Sequence, residues 1–276
     1  CGPVRRYDPA MISRLPGLSL PERAWGVVRR WALAWWRILY LGAVVCVLVL
    51  SPSSYGKVTR RALARHLYLD TAPVLLGFTV LAALISLVLT RIVIVTAISY
   101  GLSRYALEMV IRVLVLELIP LTAALFVAMR CTIPNGTQLA LLRQSGHLAR
   151  LSHAGADPIR VELLPRAVAG VFACITLAAL SCVVALVLAY LGVYGFSLAG
   201  LPSYTRMFGH VFAPAVTLVF VIKTVLFSLA VALIPMAAGL YDTGERTQPD
   251  SELGGLARMF AVLLLIEIGS LVGNYY

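Results

Sequence analysis

The chain is 276 residues long, 61% hydrophobic and only 13% charged, the composition of a protein dissolved in lipid. Its formal charge of +11 comes from 23 Lys and Arg, but these sit mainly at the ends of apolar runs, the placement expected of cytoplasmic loops. No soluble domain gathers them into a face for nucleic acid, and the five cysteines show no spacing that implies a metal site or a disulfide framework.

In chain order, residues 1–21 carry Pro3, Pro9, Pro16 and Pro21 without an apolar period and read as an irregular cytoplasmic arm. The sequence opens on Cys1 rather than Met, which suggests that residues precede it. Helix is expected from Glu22. Between Ala24 and Trp36, the mixture of Trp25, Trp31, Trp35 and Trp36 with Arg29 and Arg30 suits the headgroup layer. The next run, Ile38 to Leu50, is short, with Arg37 before it and Lys57, Arg60, Arg61 and Arg65 after it. Positive charge at both ends favours an interfacial helix followed by a re-entrant segment. One tilted span continuous with the Trp-rich stretch is the alternative. Residues 22–70 are therefore assigned to interfacial and re-entrant helices, and residues 71–276 to a five-span domain.

The five spans are Thr71 to Ile98, Ala106 to Met129, Leu164 to Val193, Ala213 to Ala238 and Gly255 to Val272, each long enough to cross a hydrocarbon core roughly 30 Å thick. The fold class that follows is an all-α membrane protein: an N-terminal interfacial helix, five transmembrane helices and a cytoplasmic helix between the second and third spans. Arg143, Arg150, Arg160 and Arg166 flank or occupy residues 130–162, whereas the loops at 99–105 and 195–209 hold only Arg104 and Arg206. The N-terminus is thus expected inside and Tyr276 outside. From Gly136 to His153, Leu139, Leu142, Leu148 and Leu151 are set among Gln138, Arg143, Gln144 and Arg150, the pattern of an amphipathic helix beneath the membrane. It is either a connector resting on its own protein or a coupling helix that docks into another subunit.

The sequence contains no phosphate-binding glycine loop, no HExxH, no GxSxG and no paired Cys motif. The histidines, His66, His147, His153 and His210, are expected in or beside loops. No catalytic residue, metal site or cofactor of its own is indicated, and ATP, if used, must be bound by a separate subunit. The informative residues are ionisable groups within the apolar runs, each costing on the order of 2.5–3.5 kcal/mol at a helix centre. Glu117 lies near the middle of the second span and Lys223 at similar depth in the fourth. They can form a buried pair or line a polar chamber, and Glu267 in the last span is a third such group. Glu108 and Arg112, four residues apart, suit a local salt bridge. Arg91 can snorkel outward, and Pro120 should kink the second span and free a carbonyl.

The blocks Glu117-Leu-Ile-Pro120, Ala128-Met-Arg130, Ala156-Asp157-Pro158-Ile159-Arg160 and Leu164-Pro165-Arg166 stand in an order and spacing that resemble the MlaE (YrbE) permease family. Val221-Ile-Lys223-Thr-Val-Leu-Phe227 and Tyr241-Asp242 are similar to its later span and following loop. The resemblance implies a permease dimer, of like or unlike protomers, in the bacterial inner membrane. It implies transport of a phospholipid or related lipid, a cytoplasmic ABC ATPase subunit that binds the ATP, and a periplasmic MCE-domain partner. On this resemblance Glu117, Lys223, Leu116 and Pro120 border the lipid cavity. Leu139, Leu142, Arg143, His147, Leu148, Arg150, Leu151, Asp157 and Arg160 then form the region coupled to the ATPase. The sequence departs from the family at Gln138, Gly146 and Ser152, where acids are usual, and at Leu116, where an Arg is common. The rival readings are an ion- or proton-coupled secondary transporter, with Glu117, Lys223 and Glu267 as a relay, and a non-transporting assembly subunit.

Overall fold

A backbone in lipid has no water to bond to, so a spanning segment must satisfy its own N–H and C=O groups, which a helix does. The computed structural model describes residues 20–51, 57–101, 103–241 and 249–275. Cys1, most of the N-terminal arm, residues 242–248 and Tyr276 lie outside the described residues. Among the described residues, six helical rods are long and apolar enough to cross a membrane: Ala32–Leu50, Thr59–Ser99, Tyr105–Gln144, Ile159–Tyr194, Pro214–Tyr241 and Gly254–Asn274.

The first element, α1 (Leu20–Leu50), is one helix of 31 residues. The expected change from an interfacial to a re-entrant segment near Arg37 is absent, because nothing there breaks a helix. The helix stops instead at Ser51, the residue before Pro52, where the proline ring disfavours helical geometry. By length and composition the rods therefore number six against the five spans expected. Helix α2 (Lys57–Ser99) starts well before Thr71 and runs 43 residues through Pro73, about 65 Å at the helical rise. It is roughly twice as long as the hydrocarbon core is thick.

The second expected span is a composite rod. It runs through α3 (Ser103–Val110), a π-helical stretch Ile111–Leu118, α4 (Ile119–Val127), a second π stretch Ala128–Thr132, and α5 (Ile133–Gln144). A third π stretch, Ile159–Leu163, leads into α7 (Leu164–Tyr194). Pro120, Pro134 and Pro165 each follow a π stretch within two residues. Proline has no N–H to give and its ring crowds the carbonyl four residues back, so a widened turn is the local response.

The helix expected over Gly136 to His153 is not continuous. Its first part is the end of the α5 rod. The chain then bends at Ser145 and Gly146, and α6 (His147–His153) follows. Gly146 has φ 72°, a left-handed conformation that glycine adopts without steric cost. The loop expected at 195–209 contains α8 (Leu201–Val211), too short and polar to read as a span. Helices α9 (Pro214–Tyr241) and α10 (Pro249–Tyr275) complete the bundle.

Two ends can be distinguished, one carrying α6 and the other α8. Near the α6 end, α5 and α9 meet backbone to backbone. A Cβ on Gly136 would lie 2.6 Å from Pro235 O, and one on Gly239 would lie 2.2 Å from Gly136 O. Small residues permit this approach, as they commonly do between membrane helices. Around the crossing, Leu41, Val45 and Leu48 of α1 pack with Leu139, Leu148, Leu163, Leu164 and Met236. At the other end, Tyr204 docks α8 by donating its hydroxyl to Leu186 O at 2.9 Å.

Candidate functional site

The polar groups carried by these rods gather at two levels. Toward the α8 end of the rods, Pro120 cannot donate to the carbonyls four and five residues back, those of Leu116 and Val115. Other helices satisfy both. Lys223 Nζ of α9 donates to Leu116 O at 3.2 Å, and Cys182 Sγ of α7 donates to Val115 O at 3.7 Å. The expected freeing of a carbonyl at Pro120 thus becomes the anchor that fixes the lysine.

Lys223 is 2% exposed. Its ammonium pairs with Glu117 Oε2 and stands 2.9 Å from Glu267 Oε2. The Phe227 ring centre lies 5.6 Å from Nζ, within range of a cation–π contact. Asn274, two turns beyond Glu267 on the same face of α10, donates Nδ2 to Glu117 Oε1 at 3.4 Å. Of the two sequence alternatives, the protomer shows Glu117 and Lys223 as a buried pair, joined by Glu267. The Glu117 and Glu267 side chains remain 13% and 15% exposed, so the glutamates are the more open part of the cluster while the lysine is enclosed. Asn274 was missed because a neutral amide near a helix end gives no sequence signal.

Beside this cluster an apolar cavity of about 230 Å³ opens between α2 and α4, lined by Phe78, Ala82, Leu118, Ile119, Phe126 and Met129 among others. The hydroxyls of Ser86 and Thr122 also border it, but each is turned to its own helix, to Ala82 O at 2.6 Å and Leu118 O at 2.8 Å. The cavity wall is therefore apolar, and Leu118 connects it to Glu117 along the chain.

The second level is at the α6 end. Arg166 Nη1 donates to Glu162 O at 2.7 Å and to its Oε2 at 2.5 Å, and His147 Nε2 lies 3.7 Å from Glu162 Oε1. Asn135 Nδ2 donates to Asp70 Oδ2 at 3.0 Å, and Cys131 Sγ to Asp70 O at 3.2 Å. The two bonds to Asp70 join the composite rod to α2, and the His147–Glu162 approach sets α6 beside the third π stretch. Asp70, Asn135 and Glu162 were not singled out from sequence, since all three fall outside the five expected spans, where polar groups are ordinary.

Of the residues proposed for coupling, Leu139 and Leu148 are buried in the core around the α5–α9 crossing. Leu142 and Leu151 are half-buried. Arg143 Nη1 donates to Leu240 O at 2.7 Å, capping the last turn of α9. Asp157 Oδ1 accepts from the Ile159 amide at 3.0 Å, and Arg160 Nε lies 3.6 Å from Asp157 Oδ2, so these two shape the turn into the third π stretch. Arg150 is exposed, with Nη2 donating to Ser145 O at 3.3 Å. The outer side of this elbow is made by Leu141, Ala149, Arg150, Ser152 and His153. All four histidines are helical, with His147 and His153 at the two ends of α6, beside turns as expected, His210 near the end of α8, and His66 inside α2. Glu108 and Arg112 form the expected bridge at 3.0 Å, and Arg91 is exposed. Among the described residues no group of His, Cys, Asp and Glu is arranged to hold a metal ion.

Comparison with known proteins adds one positive finding. A family model described as Permease MlaE matches residues 63–271, about three quarters of the chain. No curated protein matches.

Proposed function

This chain belongs to the MlaE permease family and is a multi-pass membrane permease subunit of a lipid transporter, and from that premise we propose the following assignment. It moves phospholipid or a related lipid between the bacterial inner membrane and a periplasmic MCE-domain carrier. It acts as one protomer of a permease dimer, and a separate cytoplasmic ABC ATPase hydrolyses the ATP. The observation that carries this reading is the family match, which covers the elements presenting Glu117, Lys223 and Glu267.

The geometry supports particular roles within that assignment. Glu117 adjoins in sequence Leu118 of the apolar cavity wall, so a polar headgroup at the glutamates and an acyl chain in the cavity would meet chemistry suited to each. Lys223, with the Leu116 carbonyl and Pro120 behind it, holds the glutamates in place. The α6 end is the cytoplasmic one by its excess of arginine. Arg150 and His153 on its outer side would meet the ATPase, bordered by His147, Leu151, Asp157 and Arg160. Leu139, Leu142, Arg143 and Leu148 act beneath them, holding the elbow to the bundle. Helix α1 packs Leu41, Val45 and Leu48 into the core of this same end, which suits an oblique course at the inner surface with Tyr276 outside.

The test is purification of the full chain with its native partners, followed by mass spectrometry of the retained lipid. The expected result is an ATPase in the preparation, bound lipid, and a several-fold loss of that lipid in Glu117→Gln at unchanged ATPase content. A preparation without ATPase, holding no more lipid than an unrelated membrane protein, would sink the assignment.

A further inference from the structure

We infer that the Lys223 cluster is a proton-binding site, holding one proton between the carboxyls of Glu117 and Glu267. The inference concerns the cluster itself and goes beyond what the chain transports. Two carboxyl groups meet one ammonium. If both were ionised, the interior of the bundle would hold an uncompensated negative charge, which a low-dielectric environment strongly disfavours. Two carboxylates drawn to the same site are relieved when one of them is protonated.

The hydrogen-bond inventory leads to the same place independently. An ammonium supplies three donors and an amide two, against four carboxylate oxygens, the amide oxygen and the Leu116 carbonyl. Acceptors are in surplus. The structure shows where: Asn274 Oδ1 is buried and accepts no hydrogen bond among the described residues, and Glu267 Oε2 is buried with Lys223 Nζ at 2.9 Å. Lys223 Nζ is at ion-pair distance from that Oε2 without hydrogen-bond alignment. A proton on the pair turns one surplus acceptor into a donor where acceptors lack one.

Among the described residues, no ion pair brings a further charged group to Glu117 or Glu267. The charges acting on Glu267 are those of Lys223 and Glu117. Asn274 is neutral, and Cys182 of α7 turns its thiol to Val115 O. The Glu117 and Glu267 side chains keep some exposure while Lys223 is enclosed, so the proton exchanges through the glutamates rather than through the lysine.

Infrared spectroscopy of the full chain in lipid nanodiscs, with isotope-labelled glutamate and hydrogen–deuterium exchange, tests this directly. The wild type near neutral pH should show the C=O stretch of one protonated glutamic acid. That band should vanish in Glu117→Gln and in Glu267→Gln, since each leaves one carboxylate for one ammonium. A wild-type spectrum without a protonated glutamic acid overturns the inference. So does a band that survives either substitution, because the proton would then follow burial of one residue rather than the shared surplus. The wild-type measurement decides the first point even if a variant does not fold.

Discussion

Lys223 and Arg166 are both buried cations held by carboxylates, yet they are assembled in different ways. Arg166 takes its partner from Glu162, one helical turn earlier, and from the same residue's backbone carbonyl. Such a pair forms wherever the local helix forms. Lys223 takes its partners from the composite rod and from α10, through Glu117 and Glu267. That set exists only when three helices remote in sequence have packed. The difference separates a contact that belongs to a segment from one that reports the assembled bundle. It also separates a carboxylate 21% exposed at a helix end from carboxyls set within the spans.

The sharpest way to break this contrast is to remove the enclosed cation. Lys223→Met would strand both carboxyls, and we expect a loss of about 3–5 kcal/mol, the usual result of breaking a buried pair from one side. Replacing Glu117 and Glu267 by Gln in the same chain should recover much of it. Thermal unfolding in detergent measures both, and a single variant as stable as the wild type would remove Lys223 from its assembling role.

A smaller loss tests whether shape, rather than charge, organises the α6 end. Gly239→Ala places a methyl against Gly136 O, where the backbones leave no room. We expect about 1–3 kcal/mol of overpacking, read by the same unfolding assay. No change would mean that α5 and α9 can part without cost. The smallest effect is expected from Glu162→Gln, which keeps the backbone carbonyl that Arg166 uses and removes only a partly exposed charge. A loss of about 1 kcal/mol or less is expected. A loss equal to that of Lys223→Met would collapse the distinction between the two clusters.

Glu117 and Lys223 were legible in the sequence because an ionisable group inside an apolar run has no cheap explanation, and the third such group, Glu267, proved to share their site. The long rods were legible for the same reason of hydropathy. What charge could not reveal was continuity: arginines flanking Ile38 to Leu50 bear on where the ends lie, not on whether the backbone is interrupted, so α1 was divided. The leucine period after Gly136 was real, but it spans two short helices, since a periodic pattern carries no mark for a left-handed bend at Gly146. Helix α8 stayed hidden because its Ser, Thr, Arg and His resemble a loop, and its docking depends on a tertiary bond from Tyr204. Asn274 and Asp70 join their clusters through partners that local pattern does not foretell.

The widened turns ahead of the prolines bear on rotation about the helix axis. Each complete π turn holds roughly one residue more than an α turn, and a residue corresponds to about 100° of azimuth. The stretch Ile111–Leu118 therefore reorients everything from Ile119 onward relative to an unbroken helix, and Ala128–Thr132 does so again before α5. One chain direction thus presents differently facing sectors along its length. The face of this rod that brings Glu117 to Lys223 is set apart in azimuth from the face that brings Gly136 to Pro235, so a single rod can address different sides of α9.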